Sequence, residues 1–164
     1  NYACVRKVMQ HVDGVLLLTD GTFHALGLSL VTDKEVIAVN CDGSLVHVDR
    51  EGFIRRRLVT MARVEDAESI GIIVSTKPGQ CRIRQAMEIK KKIINMGKKT
   101  VILTMDEVRL ELLQYLPFHA YVNTACPRIA LDDAHVLNKP VITLAEARAM
   151  VEKKPLPYLL DEII

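Results

Sequence analysis

The sequence predicts an α/β fold in which short parallel strands alternate with helices. Six apolar runs of four to six residues are spaced along the chain, and amphipathic segments lie between them. Most of these runs are too uniformly apolar to have one face in water, which is typical of parallel strands covered by helices on both faces. We therefore expect repeated parallel-sheet, Rossmann-like domains. The longest apolar run is far shorter than the roughly 20 residues of a membrane span, so no membrane partner is expected.

The predicted elements follow one another in a regular order. The predicted strands are residues 14–19, 35–40, 70–75, 100–104, 119–123 and 141–144. Residues 51–67 predict one helix. Residues 79–96 predict another, with Gly97 as its expected stop. The second helix is predicted because apolar side chains recur near helical spacing at Ile83, Ala86, Met87, Ile89, Ile93 and Ile94.

A strand–helix–strand pattern occurs twice at an offset of 105 residues. The shift places residues 15–19 on 120–124 and residues 34–37 on 139–142, although the identities are few and chance is an alternative. If the repeat is real, residues 1–49 end one α/β domain, residues 50–67 form a linking helix, and residues 68–164 form a second domain with a C-terminal tail. Residue 1 is Asn and no signal-like stretch follows it, so we expect a piece of a longer chain.

Charge and composition weigh against nucleic-acid binding. The net charge is +2, but residues 50–99 hold 13 Lys and Arg against 5 Asp and Glu. This basic segment could bind an acidic partner or RNA. Alternatively, its charged side chains could lie on the solvent-exposed faces of helices. Aromatic residues make up 4% of the chain and Trp is absent, so a stacking surface for bases is not expected. We predict no direct nucleic-acid contact.

The four cysteines are far apart in the sequence. Cys4, Cys41, Cys81 and Cys126 form no CxxC pair, which argues against a zinc finger. The core-rich composition and the lack of a secretory signal favour a reducing compartment over a disulfide framework.

Cys126 is the most informative of these cysteines. It follows a predicted strand, and Pro127 after it suits the first turn of a helix. Ligands of parallel α/β sheets bind at the carboxyl ends of the strands, and backbone N–H groups there favour a thiolate. The alternative is a buried structural cysteine. When the chain is aligned with itself at the offset of 105 residues, Cys126 aligns with Gly21.

Four other residues lie on loops that could bind a ligand. Gly21 would allow a close backbone approach, and His24 either binds substrate or is a partly buried histidine. Gln80 offers both a donor and an acceptor, and Asp132 offers a carboxylate. The GxGxxG and GxxxxGK[ST] motifs are absent, and no Ser–His–Asp arrangement is visible. The residues alone indicate an α/β ligand-binding fragment with one well-placed cysteine.

Three ordered motifs resemble a known family. The strings DGTFHALGLSL, STKPGQ and AYVNTACPRIALDD, the last followed by KPVITLAE, are similar to the archaeal-type 2-(3-amino-3-carboxypropyl)histidine synthases of diphthamide biosynthesis. The resemblance implies a pseudo-symmetric chain about twice this length, built from three α/β domains that each contribute one cysteine to a 4Fe–4S cluster. Cys126 matches the third-domain ligand. The middle-domain ligand directly precedes an Asn-Tyr pair like Asn1-Tyr2, so Cys4 is not assigned as a ligand.

The resemblance also implies a reaction. The cluster would reduce S-adenosylmethionine, and the resulting 3-amino-3-carboxypropyl radical would attack a histidine of translation elongation factor 2. Gly21, His24, Gln80 and Asp132 are candidate contacts for the amino acid head of S-adenosylmethionine. A cytoplasmic homodimer is implied for archaeal members. The alternative is a non-catalytic α/β module, because eukaryotic relatives include a subunit with an electron-delivery role.

Overall fold

A computed structural model describes residues 8–9 and 11–154, without the side chains of Asp133 and His135. Cys4 and the predicted tail after residue 154 lie outside the described residues. The chain divides into two compact units, and the division falls between Arg55 and Arg56. Within the described part of the chain, no helix is both long enough and apolar enough to cross a membrane.

The first unit contains a three-stranded sheet of order β1-β2-β3. Its elements are β1 (Gly14–Leu18), α1 (Phe23–Ser29), β2 (Glu35–Val39) and β3 (Leu45–His47). The predicted strands β1 and β2 are confirmed and pair in parallel. The sheet also contains β3, a strand that was not predicted, which pairs antiparallel to β2. A tight turn with Gly43 at φ 81° joins the two strands, and antiparallel neighbours need no longer connection.

Helix α1 covers one face of this sheet. Ala25 and Leu28 pack there against Val36 and Ala38. On the opposite face three leucines are 61–79% exposed, namely Leu16, Leu18 and Leu45. Among the described residues of this unit, the expectation that helices cover both faces of the sheet is therefore not met.

Helix α2 (Arg50–Asp66) confirms the helix predicted over residues 51–67. Asp49 caps its start, since the Asp49 Oδ1 accepts a hydrogen bond of 2.9 Å from the backbone N–H of Gly52. The division between the two units falls inside this helix. The assignment of residues 1–49 and 68–164 to separate domains of a longer protein stays a prediction.

The second unit contains a four-stranded parallel sheet of order β5-β4-β6-β7. Each predicted strand is confirmed to within one residue at either end. The helix predicted from residue 79 begins only at Ile83, because residues 77–80 form a turn with Gly79 at φ 78°. In order, the elements are β4 (Ser69–Ser75), α3 (Ile83–Asn95), β5 (Lys99–Met105), α4 (Leu110–Leu113), β6 (Ala120–Asn123), α5 (Arg128–Leu131), a 3-10 turn (Asp133–Val136), β7 (Val141–Thr143) and α6 (Leu144–Glu152).

Helices cover both faces of this second sheet, as predicted. Ile70, Ile72 and Val74 of β4 pack with α3 and α6 on one face, while Ile73 packs with α4 and α5 on the other. All seven residues of β4 are buried. Three of the apolar residues that predicted α3 lie outside the core, since their side chains are 44–50% exposed; they are Ile83, Met87 and Ile94.

Tyr121 is fully buried in β6 and joins the central strands. Its ring occupies the space that a side chain on Gly71 would need, because a Cβ there would lie 2.7 Å from the Tyr121 Cε1. The Tyr121 hydroxyl donates a hydrogen bond to the Leu113 carbonyl. Burial raises the pKa of Tyr121 to about 12.

The raised pKa of Tyr121 predicts a loss of stability in alkali. Unfolded chains ionise this phenol near pH 10, whereas the folded chain keeps its proton until about pH 12, so the free energy of unfolding should fall as the pH rises between these values. Tyr121→Phe should make the urea unfolding midpoint less dependent on pH across that range. Tyr115→Phe is the matched control, because Tyr115 is 79% exposed. An equally steep decline in Tyr121→Phe and in the wild type would contradict this prediction.

Candidate functional site

The candidate site lies at the carboxyl end of the second sheet. Strands β4 and β6 are parallel neighbours there, so the loops that follow them leave the sheet side by side. Thr124 connects the two strand ends, since its backbone N–H and its hydroxyl both donate to the Ile73 carbonyl, at 3.0 and 2.8 Å. This is the edge at which parallel α/β sheets bind ligands.

Residues 123–127, which we call the Cys126 turn, are fixed by their own hydrogen bonds. The Asn123 side chain is buried; its Oδ1 accepts from the Ala125 N–H at 3.1 Å, and its Nδ2 donates to the Cys126 carbonyl at 2.7 Å. The Ile129 N–H donates to the same carbonyl at 3.1 Å. Cys126 itself is only half-buried. The backbone of the turn is therefore held in place by hydrogen bonds, while the cysteine that it carries is partly accessible to solvent.

Asn123 is a positioning residue that was not among the predicted site residues. An Asn that directly follows apolar strand residues, at the start of a loop, commonly bonds to the backbone two residues later. That local signal was present in the sequence. The bond to the Cys126 carbonyl depends on the folded geometry and has no comparable signal.

Asp132 is paired in the structure. Helix α5 has a single turn, and the Arg128 Nε lies 3.1 Å from the Asp132 Oδ2 across that turn. Both side chains are about half exposed. Asp132 could therefore bind an amino group only by sharing its carboxylate with Arg128 or by leaving it.

Gln80 lies in the loop beside the Cys126 turn. It is half-buried, and its backbone N–H donates to the Lys77 carbonyl at 3.1 Å. Of the predicted contacts, Gln80 thus shares the carboxyl edge of the second sheet with Cys126.

Gly21 and His24 belong to the first unit. Both are exposed and lie just beyond the carboxyl end of β1, and Gly21 has φ 77°, a conformation that side chains rarely adopt. The His24 ring contacts the Phe23 ring edge-on, with 5.6 Å between centroids.

The two units repeat the same pattern of elements. β1, α1 and β2 begin at residues 14, 23 and 35, while β6, α5 and β7 begin at residues 120, 128 and 141. The corresponding elements therefore lie at an offset of about 105 residues, as the sequence predicted. Gly21 occupies in the first unit the place that Cys126 has in the second.

The described residues could supply one cysteine ligand of an iron–sulfur cluster, but not the full set of ligands that a cluster needs. The described cysteines are Cys41 and Cys81, which are exposed, and Cys126, and none of them is in a disulfide. Among the side chains that the structure describes, which exclude those of Asp133 and His135, no three His, Cys, Asp or Glu are grouped to hold a metal ion. Thiolates are the ligands that such clusters take, and the half-buried Cys126, which follows the end of β6, could supply one of them.

Comparisons with known proteins give a consistent picture. Residues 1–157 match the family model described as "Putative diphthamide synthesis protein". The 2-(3-amino-3-carboxypropyl)histidine synthase of Pyrococcus horikoshii is 37% identical over 153 residues, which are 93% of this chain and 44% of the relative. The enzyme of the same name from Methanocaldococcus jannaschii is 30% identical over 96% of this chain and 48% of the relative.

Solved structures agree with the sequence comparison. The crystal structure of Dph2 from Pyrococcus horikoshii with a 4Fe-4S cluster has a TM-score of 0.81 and 37% identity, covering 93% of this chain and 44% of that one. The chain thus spans about half the length of the relatives it matches. Because the family model covers nearly all of its residues, this chain belongs to the diphthamide synthesis protein family.

Proposed function

We propose that this chain is the C-terminal part of an enzyme that transfers the 3-amino-3-carboxypropyl group of S-adenosylmethionine to a histidine of translation elongation factor 2, in the first step of diphthamide synthesis. One observation carries the proposal: a family match over residues 1–157 coincides with a half-buried, free cysteine that follows the carboxyl end of a strand in a parallel sheet. The related Dph2 structure holds a 4Fe-4S cluster. In this proposal residues 1–49 are the C-terminal part of a middle domain, residues 50–67 form a linking helix, and residues 68–164 form the third domain with a C-terminal tail.

Some residues of this chain would hold the cluster, and others would bind S-adenosylmethionine. The Cys126 thiolate would ligate one iron, and Asn123 and Thr124 would hold the turn that carries it. When bound, the cluster would supply the electron that cleaves the bond from sulfur to the aminocarboxypropyl group. Gln80 and Asp132, together with Gly21 and His24 of the first unit, are the proposed contacts for the amino acid head. A cytoplasmic homodimer belongs to the same proposal.

The products formed from S-adenosylmethionine test this function. Full-length protein, purified without oxygen and reduced with dithionite, should be brown and should release 5′-methylthioadenosine when it is given S-adenosylmethionine. Label from the aminocarboxypropyl group should appear on elongation factor 2. A main product of 5′-deoxyadenosine would place the chain among ordinary radical enzymes. A folded, colourless preparation without turnover would favour the non-catalytic module.

A further inference from the structure

Arg57 is a buried arginine on α2, with only 7% of its surface exposed. Its Nε and Nη2 donate to the two carboxylate oxygens of Glu146, at 2.8 and 2.7 Å. The guanidinium also donates to two backbone carbonyls, from Nη1 to Ala130 at 2.9 Å and from Nη2 to Val141 at 2.8 Å. A planar fork with several donors can make this set of bonds, whereas the single ammonium of a lysine cannot.

The partners of Arg57 surround the chain that follows Cys126. Ala130 lies in α5, the one-turn helix that begins two residues after Cys126, and its carbonyl is one that the short helix leaves without a helical partner. Val141 is the first residue of β7. Glu146 completes the capping box of α6 with Thr143. One guanidinium therefore fastens α5, β7 and α6 together.

The two flanks of the Cys126 turn are held by different groups. On the strand side, Asn123 and Thr124 bond to the turn and to β4. On the helix side, Arg57 holds Ala130, four residues after the cysteine. A single turn of helix has little stability of its own, so its position depends on such tertiary bonds.

We infer that Arg57 is a positioning residue. By bonding to the Ala130 carbonyl, it fixes the position of α5 and thereby the direction of the Cys126 thiol. Its relevance to cluster binding rests on the proposed function, but its effect on the thiol does not. The cysteine ligand can be placed well only if both flanks of its turn are fixed.

Alkylation of the cluster-free, full-length protein tests the inference without using activity. Arg57→Met alone would leave the Glu146 carboxylate buried without its arginine, so it is combined with Glu146→Gln, which removes the charge and retains a capping-box side chain. In this double variant, Ala130 and Val141 still lose their donor. Cys126 should then react with iodoacetamide about tenfold faster than in the wild type, measured by mass spectrometry relative to Cys81.

Two further variants define what the result means. Arg57→Lys keeps the charge but loses the fork, so its rate should lie between those of the wild type and the double variant. Arg55→Met is the matched control, because Arg55 is exposed on the same helix and should leave the rate unchanged. If Arg57 acted only as an ion-pair partner, removing both charges would restore the wild-type rate. A wild-type rate in the double variant or in Arg57→Lys would overturn the inference.

A second readout connects the inference to the cluster. After iron–sulfide reconstitution and reduction, the double variant should bind less iron than the wild type and show an altered electron paramagnetic resonance spectrum. The two hypotheses fail in different ways. Undiminished iron in Cys126→Ala would refute the ligand role of Cys126. A wild-type spectrum in the double variant, together with iron loss in Cys126→Ala, would refute only the positioning role of Arg57.

Discussion

Full-length protein carrying Cys126→Ala should retain only background iron after reconstitution and should transfer no aminocarboxypropyl group to elongation factor 2. The physical reason is the small number of ligands. A 4Fe–4S cluster with an open iron site has three protein thiolates, and loss of one leaves two iron atoms without a protein ligand. Iron and sulfide analysis, together with absorbance near 400 nm, measures the loss. We expect a fall from about four irons per chain to below about one.

The other described cysteines provide the controls for this experiment. Cys41 and Cys81 are exposed, and neither lies in a segment that resembles the cluster-binding motif. Cys41→Ala and Cys81→Ala should therefore keep both the iron and the activity. Residues 1–164 alone should remain colourless after reconstitution, since Cys126 is the one thiol assigned as a ligand. Uptake of about four irons by this fragment would mean that other cysteines of the chain are ligands.

Glu146→Ala should be among the most destabilising single substitutions in the second unit. It leaves the Arg57 guanidinium buried without its carboxylate, and breaking a buried pair from one side costs about 3–5 kcal/mol. The carboxylate also accepts the Thr143 N–H at 2.7 Å, so the start of α6 loses its cap as well. Urea unfolding, followed by circular dichroism, measures the change in the free energy of unfolding.

Two substitutions separate the causes of this effect. Thr143→Ala removes the other half of the capping box and should cost about 1 kcal/mol, because the Arg57–Glu146 pair remains. Glu152→Ala is the matched control on the same helix. Lys154 and Lys92 hold the pKa of Glu152 at about 2, yet these groups lie at the surface, where ion pairs contribute little. A loss in Glu146→Ala no larger than that in Thr143→Ala would contradict a structural role for the pair.

The uniformly apolar runs predicted the second sheet well, because burial on both faces leaves a simple compositional pattern. The same reasoning failed for β1, where Leu16 and Leu18 are as apolar as core residues but are 64% and 79% exposed. Composition indicates which side chains of a strand could be buried, but it does not indicate whether another element packs over them. Strand β3 has three residues, too few for any periodic pattern.

The candidate site was predictable only where local chemistry carried a signal. Cys126 was found because a Cys-Pro pair follows a strand, and the Thr143-x-x-Glu146 spacing of a capping box is visible in the sequence. Arg57 had no such signal, since it stands among Arg55 and Arg56 and resembles one more solvated side chain. Its partners lie 73 to 89 residues away along the chain. Only the folded topology brings them together.

The bond from Arg57 to Val141 also affects how this sheet meets other chains. β7 is an edge strand, and because the Pro140 carbonyl accepts from Tyr121 of β6, the next carbonyl points away from the sheet. An exposed edge of this kind can add a strand from another molecule, which is a route to aggregation. The guanidinium occupies the Val141 carbonyl that an incoming strand would need. Strand addition is thus disfavoured on the β7 side, and among the described residues β5 is the other edge of this sheet.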